Sequence, residues 1–191
     1  RCYMIVFVSG GARSGKSHVA EQCVMQAANG KPCFYVATAS VYDDEMAERV
    51  ARHKVERSTS SAVSSWVTLE APLAIDQAVS QVPDGHAALL DCLTLWGSQV
   101  MFHEEDDESE PLSTTEGFSL LVRCLQDARA RNITLVVVSN DLNEAPLPNG
   151  SETLRYVEFL QMLHRWLAAE ADSVIEVVAG QPIEWKAVAN S

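Results

Sequence analysis

Eight consecutive residues near the start of the chain form a pattern that restricts the fold more than any other feature. From Gly10 to Ser17 they read G-G-A-R-S-G-K-S, a complete G-x-x-x-x-G-K-[ST] motif. An apolar run at residues 4–9 precedes the motif, and a segment of helical period at residues 16–28 follows it. Glycines let successive backbone N–H groups curve around an anion, and the helix N-terminus adds its dipole. The pattern therefore predicts a phosphate-binding loop between a buried strand and a helix.

The motif also predicts roles for individual residues in holding a nucleoside triphosphate. We expect Lys16 to reach the β- and γ-phosphates and the Ser17 hydroxyl to ligate Mg²⁺. The alternative, an ordinary glycine-rich turn, does not account for every fixed position being filled in a strand–loop–helix setting. The residues predicted to bind nucleotide here are Gly10, Gly11, Ala12, Arg13, Ser14, Gly15, Lys16 and Ser17.

Apolar runs of strand length alternate with segments of helical period along the rest of the chain. Several runs are nearly continuous in Val, Ile, Leu and Phe, which is typical of strands covered on both faces. The alternation predicts right-handed β-α-β units, and hence a single α/β domain, residues 1–191, with a mainly parallel sheet flanked by helices. The predicted strands are residues 4–9, 33–38, 66–69, 87–92, 133–139 and 174–179, with a candidate edge strand at 183–188. The predicted helices are residues 16–28, 43–57, 73–82, 95–102, 118–131 and 152–169.

Composition and charge limit the classes of function. Lys and Arg number 14 and Asp and Glu 26, so the net charge is −12, which argues against nucleic acid or an anionic membrane as a general partner. No apolar run approaches the ~20 residues that span a bilayer. The five cysteines form no C-x-x-C pair and are typical of reduced thiols in a cytoplasmic protein. The acidic run at residues 103–110 lacks spaced ligands, so we interpret it as a solvated loop and not as a metal site.

A second acidic element of the nucleotide site is predicted at the end of another buried strand. Asp91 follows Ala-Leu-Leu and is placed to hold Mg²⁺ directly or through water. As an alternative, Asp91 would cap the helix that follows. A regulatory GTPase would carry N-K-x-D after a late strand, whereas residues 138–141 read V-S-N-D without a lysine. The sequence therefore favours an enzyme over a GTPase switch.

A charged helical segment, residues 43–57, contains a candidate nucleophile. Met46, Val50, His53 and Arg57 fall along one helical stripe. A neutral imidazole is a competent nucleophile toward phosphorus, and neighbouring cations would hold the phosphates. The spacing alone leaves open the alternative that His53 is a surface histidine in a charged helix.

Five blocks of the chain together resemble one enzyme family. The blocks G-G-A-R-S-G-K-S, Y-V-A-T-A, D-D-E-M-A-E-R-V-A-R-H-K-V-E-R, W-V-T-L-E and L-L-D-C-L-T are similar to the bifunctional adenosylcobinamide kinase/adenosylcobinamide-phosphate guanylyltransferase family of cobalamin biosynthesis. The resemblance covers almost the whole chain and is most specific over residues 4–94. It implies a RecA-like P-loop NTPase fold, a homotrimer and a two-step enzyme. One step phosphorylates the corrinoid adenosylcobinamide, and the next places GMP from GTP on that phosphate.

The resemblance also implies which residues act. His53 would carry a covalent guanylyl group, with Lys16 as a second catalytic residue, and activity would fall below the pKa of the imidazole, ~6.5. The phosphoryl donor, ATP or GTP, stays open. Besides the phosphate loop, the residues that the resemblance implies at the nucleotide are Ala37, Thr38, Ala39, Lys54, Val55, Glu56, Arg57, Glu70 and Asp91, with Mg²⁺ on Ser17 and Asp91.

The chain departs from the family pattern after its late strand. Where the family reads N-E-V-G-x-G-x-V-P, residues 140–148 read N-D-L-N-E-A-P-L-P, so both glycines are lost and the loop is more restricted. The family's arginine-rich helix and its N-Q pair are also replaced, near residues 155–158 and 164–165. These changes lie in the half that we expect to shape acceptor binding. Two alternatives therefore stay open: a P-loop kinase of another small metabolite, and a GTP-binding subunit that has lost corrinoid turnover.

Overall fold

The computed structural model describes residues 4–38, 65–102, 112–141 and 151–187, with side chains in the last range from residue 154 onward. Within these residues the strands are β1 (Ile5–Gly10), β2 (Cys33–Ala37), β3 (Trp66–Glu70), β4 (Ala87–Asp91), β5 (Thr134–Asn140), β6 (Ser173–Val178) and β7 (Gln181–Lys186). The helices are α1 (Lys16–Ala28), α2 (Ile75–Ser80), α3 (Leu93–Met101), α4 (Thr114–Ala130) and α5 (Ser151–Glu170).

All seven described strands belong to one sheet, in the order β3–β2–β4–β5–β1–β6–β7. Every neighbouring pair is parallel except β6 and β7, which form an antiparallel hairpin at one edge. Crossover connections between parallel strands need helices that cover the faces of the sheet. The predicted α/β class with a mainly parallel sheet is therefore confirmed.

Apolar side chains alternate between the two faces of this sheet. In β1, Ile5 and Phe7 pack in the layer that contains α2, α3, α4 and α5, whereas Val6 and Val8 pack against α1. Both layers are buried, which explains why the central strands read as continuous apolar runs rather than alternating ones. In the part of the chain that the structure describes, no helix is both long and apolar enough to cross a membrane.

Helix boundaries were predicted less well than strands, for local reasons. Helix α4 begins four residues before its predicted start, because the Ser113 hydroxyl accepts a hydrogen bond from the Glu116 N–H at 3.1 Å and caps the helix there. Helix α2 is shorter than predicted at both ends, and Pro83 disfavours helical backbone at Val82, the last residue of the predicted range. The predicted helix at residues 43–57 and the acidic run at 103–110 lie outside the described residues.

The parallel strands bring residues that are distant in sequence to one edge of the sheet. Gly10, which ends β1, is in register with Asn140 on β5. Ala37, which ends β2, is in register with Glu70 on one side and Asp91 on the other. In open α/β sheets, ligands bind at this carboxyl edge.

Candidate nucleotide-binding site

The phosphate loop leaves the end of β1 and enters α1 within a few residues. Its backbone folds back on itself, because the Ser14 N–H donates to the Gly11 carbonyl at 3.2 Å and the Lys16 ammonium donates to the same carbonyl at 3.1 Å. Lys16 is buried, with 6% of its surface exposed. The N-cap of α1 is Gly15, so no side chain competes for the first N–H groups of the helix. A cation and backbone donors therefore converge at a helix N-terminus, which is the arrangement that binds phosphate.

Two positions of the loop admit only glycine. A Cβ on Gly10 would lie 2.5 Å from the Ser14 hydroxyl oxygen and 2.8 Å from the Val177 carbonyl oxygen. Gly15 has a φ of 89°, in the left-handed region that side chains disfavour. The β6–β7 turn supports the loop from behind, since the Gly180 N–H donates to the Ser14 carbonyl at 2.7 Å. The shape of the loop is thus fixed by its neighbours as well as by its own sequence.

Asp91 ends β4 and is buried, with 2% of its surface exposed. The Tyr35 hydroxyl, on neighbouring β2, donates to Asp91 Oδ2 at 2.5 Å and so orients the carboxylate. The alternative that Asp91 caps the following helix is wrong. Cys92 occupies the N-cap of α3, and its sulfur accepts a hydrogen bond from the Leu95 N–H at 3.4 Å. Burial, followed by the nearby Asp91 charge, raises the pKa of the Cys92 thiol, so this sulfur is neutral.

Ser17 and Asp91, the predicted magnesium ligands, have chemistry that fits a hard cation. Ser17 lies in the first turn of α1 and is half-buried. Mg²⁺ prefers hydroxyl and carboxylate oxygens and completes its shell with phosphates and water. Among the described residues, no group of three or more His, Cys, Asp or Glu side chains is arranged to hold a metal by itself. An ion at Ser17 and Asp91 therefore needs the nucleotide and water as its other ligands.

Thr38 follows β2 and is completely buried. Its hydroxyl oxygen accepts the Cys92 N–H at 2.8 Å and lies 3.0 Å from the Cys92 carbonyl. The Gln99 side chain on α3 donates to the Thr38 carbonyl at 2.6 Å. These hydrogen bonds connect the end of β2 to the segment after Asp91 and so fix the two strand ends relative to each other. A contact between Thr38 and nucleotide stays a prediction.

The other predicted nucleotide residues lie along the carboxyl edge, away from the phosphate loop. Strands in a sheet are ~4.8 Å apart, so Ala37 on β2 is ~14 Å and Glu70 on β3 is ~19 Å from β1. Ala37 is buried and Glu70 is exposed. Six predicted residues lie outside the described part of the chain, and their roles stay predictions: Ala39, His53, Lys54, Val55, Glu56 and Arg57.

Sequence reasoning missed a buried polar chain beside this site. The Ser139 hydroxyl lies 2.6 Å from His164 Nε2 and 3.2 Å from the Thr94 hydroxyl. The His164 ring also packs against Phe7, with 5.4 Å between the ring centroids. Its burial lowers the pKa of His164 to about 4. The signal in the sequence was a polar Ser-Asn pair ending an otherwise apolar strand.

Comparison with known proteins returns one family over nearly the whole chain. The family model described as "Cobinamide kinase / cobinamide phosphate guanyltransferase" matches residues 6–185. The bifunctional adenosylcobalamin biosynthesis protein CobP of Pseudomonas aeruginosa is 34% identical over 184 residues, covering 94% of this chain and 95% of the relative. The bifunctional adenosylcobalamin biosynthesis protein CobU of Salmonella typhimurium is 30% identical over 193 residues, covering 96% and 100%.

Solved structures are similar in fold. The flagellar accessory protein FlaH of Methanocaldococcus jannaschii superposes with a TM-score of 0.53 at 9% identity, covering 97% of this chain and 79% of that one. A second solved structure, an ATPase domain, has a TM-score of 0.50 at 12% identity, covering 92% and 69%. Together with the sheet order and the phosphate loop, these likenesses confirm the RecA-like P-loop fold. Given that fold and a family match that extends over residues 6–185, the chain belongs to the cobinamide kinase / cobinamide phosphate guanyltransferase (CobU) family.

Proposed function

We propose that this chain catalyses both reactions of its family, as one catalytic domain. It phosphorylates adenosylcobinamide, and it transfers GMP from GTP to adenosylcobinamide phosphate to give adenosylcobinamide-GDP. The observation that carries the proposal is the family match over residues 6–185 on a chain whose phosphate loop is complete and correctly shaped.

In the phosphorylation step, a hydroxyl oxygen of adenosylcobinamide attacks the γ-phosphorus of ATP or GTP. The bond from the γ-phosphorus to its bridging oxygen breaks, the nucleoside diphosphate leaves, and the hydroxyl proton passes to solvent. Lys16 and the N–H groups at the start of α1 stabilise the charge that develops on the phosphate oxygens. Mg²⁺, held by Ser17 and Asp91, supplies further charge neutralisation when bound.

In the guanylyl step, the neutral imidazole of His53 attacks the α-phosphorus of GTP, and pyrophosphate leaves as the phosphorus–oxygen bond breaks. An oxygen of adenosylcobinamide phosphate then attacks the same phosphorus, the phosphorus–nitrogen bond breaks, and free His53 is regenerated. The support is the resemblance of residues 43–57 to the family's second block. Two transfers through a nucleophile replace one direct reaction between two anions.

Labelling with GTP that carries ³²P at the α-phosphate tests the covalent route. The purified protein with Mg²⁺ should retain an acid-labile label, and mass spectrometry should locate one GMP on His53. His53→Ala should abolish labelling and guanylyl transfer while phosphorylation of adenosylcobinamide continues. Lys16→Ala should weaken both steps. The matched control is His86→Ala, which removes a histidine just before β4, at the amino ends of the strands and so opposite the predicted site.

The outcomes separate the alternatives. Normal guanylyl transfer by His53→Ala would refute the covalent intermediate. Labelling without phosphorylation of adenosylcobinamide would indicate a chain that keeps one activity. Phosphorylation of another metabolite without labelling would support the simple kinase. GTP binding with no turnover would support the GTP-binding subunit, in line with the altered residues 140–148.

We further propose a homotrimer in the cytoplasm. The family resemblance implies the trimer, and β7 supports an assembly because Trp185 is 69% exposed and Ile183 42% exposed on an edge strand. Sedimentation equilibrium of the purified protein measures the mass of the assembly directly. A reducing compartment is supported by the buried cysteine thiols Cys92 and Cys124.

A further inference from the structure

Thr94, in the first turn of α3, is a junction between two strand ends near the phosphate loop. Its hydroxyl oxygen accepts the Asn140 N–H at 2.8 Å and lies 3.2 Å from the Ser139 hydroxyl. The same oxygen lies 3.5 Å from the sulfur of Cys92, the residue after Asp91. Thr94 is 4% exposed, so these bonds form away from solvent, where a polar group without a partner is costly. One hydroxyl thus ties the end of β4 to the end of β5.

Helix α5 anchors this junction through two side chains. His164 Nε2 lies 2.6 Å from the Ser139 hydroxyl, and the Tyr156 hydroxyl donates to the Thr94 carbonyl at 3.1 Å. Ser139 has no exposed surface. Because Thr94 accepts from Asn140, its own proton is available for Ser139, and Ser139 can donate to the neutral His164 ring. Thr94 therefore donates to Ser139 and Ser139 donates to His164, so each hydroxyl proton has an acceptor.

These hydrogen bonds fix the backbone of β5 at Asn140, and the alternation of side chains along the strand determines where the Asn140 side chain points. The Asp141 N–H donates to the Gly10 carbonyl at 2.8 Å, which holds the end of β5 against the start of the phosphate loop. Val136 and Val138 pack in the layer that contains α1, and alternation along the strand sends Asn140 to that same face. Lys16 enters the site from this face, as the first residue of α1. Asn140 is half-buried, so its amide is accessible at the edge of the sheet.

We propose that Asn140 is a further phosphate-binding residue, whose side-chain amide donates to the terminal phosphate of a nucleoside triphosphate held by Lys16, and that Thr94, Ser139 and His164 position it. The proposal deepens the proposed function by adding a residue to the nucleotide site. A neutral amide suits this position because it donates to phosphate while bringing no negative charge beside Asp91. Thr94, Ser139 and His164 touch no phosphate and act only through Asn140.

Binding of two nucleotides tests the assignment independently of turnover. Calorimetry measures the Kd of GDP and of the non-hydrolysable triphosphate GMPPNP, both with Mg²⁺. Because only GMPPNP carries the terminal phosphate, Asn140→Ala should lower the ratio of the GDP Kd to the GMPPNP Kd by about tenfold and leave the GDP Kd within about twofold of wild type. Thr94→Val, which removes the hydroxyl at nearly constant shape, should lower the ratio in the same direction, and Thr94→Ser should restore it.

Thr134→Val is the matched control. Thr134 is also buried, and its hydroxyl also accepts a backbone N–H, that of Met4 at 3.3 Å, but it lies at the opposite end of β5. This variant should leave the nucleotide ratio unchanged even where it lowers stability. In the double variant Asn140→Ala/Thr94→Val, the loss should not exceed that of Asn140→Ala alone, because Thr94 acts through Asn140.

Three results would overturn the proposal. An unchanged ratio in Asn140→Ala removes Asn140 from the phosphate site. Full additivity in the double variant, or an equal loss for GDP and GMPPNP in Thr94→Val, makes Thr94 a structural residue only. If Thr94→Val does not fold, His164→Gln and His164→Leu make the same comparison, and only the leucine variant should lower the ratio. A wild type that binds both nucleotides but never phosphorylates adenosylcobinamide would refute the proposed function while the ratio still tests Asn140.

Discussion

Lowering the pH is expected to destabilise the folded chain through His164. Burial lowers the pKa of His164 to about 4, although nearby Asp141 favours the charged ring. In the unfolded chain the same imidazole titrates at about 6.5. Between these two values the unfolded state binds a proton that the folded state does not, so the free energy of unfolding decreases as the pH falls. Above about pH 6.5 and below about pH 4, the ring has the same charge in the folded and unfolded states, so its contribution to the free energy of unfolding is constant.

The size of the effect follows from the two pKa values. Each unit of difference is worth about 1.4 kcal/mol, so moving from about pH 7.5 to about pH 5 removes up to about 2 kcal/mol. The ring is partly exposed, and solvent screening makes this an upper figure. A loss of this size is a sizeable fraction of the roughly 5–15 kcal/mol that stabilises a typical domain.

Urea denaturation at a series of pH values, with linear extrapolation to water, measures this contribution. His164→Gln keeps a polar atom within reach of Ser139 and removes the titration. The stability difference between wild type and His164→Gln should therefore shrink by up to about 2 kcal/mol on going from about pH 7.5 to about pH 5. His18→Gln, which removes an exposed imidazole from α1, is the control. Parallel pH curves for wild type and His164→Gln would refute the reasoning.

Two substitutions test the supports of the phosphate loop and of Asp91. Gly10→Ala should destabilise the protein by about 1–3 kcal/mol and weaken GTP binding, because the new Cβ would lie 2.8 Å from the fixed Val177 carbonyl oxygen. Urea denaturation measures the stability and calorimetry the GTP binding. Adding Ser14→Ala should recover only part of the lost stability, because the contact with the Val177 carbonyl remains. Tyr35→Phe should lower the free energy of unfolding, measured by urea denaturation, by about 2 kcal/mol, because the buried Asp91 carboxylate loses a hydrogen-bond donor. Tyr156→Phe should lower it by about 1 kcal/mol, because the lost hydrogen bond goes to a neutral carbonyl. Equal losses in the two variants would contradict the assignment of Tyr35 to Asp91.

The phosphate loop was predictable because its constraints are local. Gly10, Gly15 and Lys16 are required by a turn of fixed length between one strand and one helix, and the structure places them as the motif predicts. Strand positions were predicted to within a residue or two at each end, because strands buried on both faces leave continuous apolar runs. The start of α4 was predicted late because residues 114–117 precede the apolar period on which the prediction rests.

The polar chain beside the site was not predictable, because it depends on contacts between distant segments. Thr94 and Ser139 are 45 residues apart, and Ser139 and His164 are 25 apart. Their contact requires the register of β5 against β4 and the packing of α5 on the sheet, neither of which leaves a local pattern. For the same reason, the helical period of residues 152–169 does not show that His164 reaches Ser139.

The strand order also determines how the two halves of the predicted nucleotide site relate to each other. The predicted phosphate site at Lys16 lies beside β1, whereas Glu70 lies four strands away on β3, ~19 Å along the carboxyl edge. A nucleotide bound through Lys16 therefore reaches Glu70 only by extending along this edge over β5, β4 and β2. Asp91 lies on β4, two strands from β1 and two from β3, with its carboxylate fixed by Tyr35. The predicted cation site at Asp91 is thus midway, in strand order, between the two halves of the predicted nucleotide site.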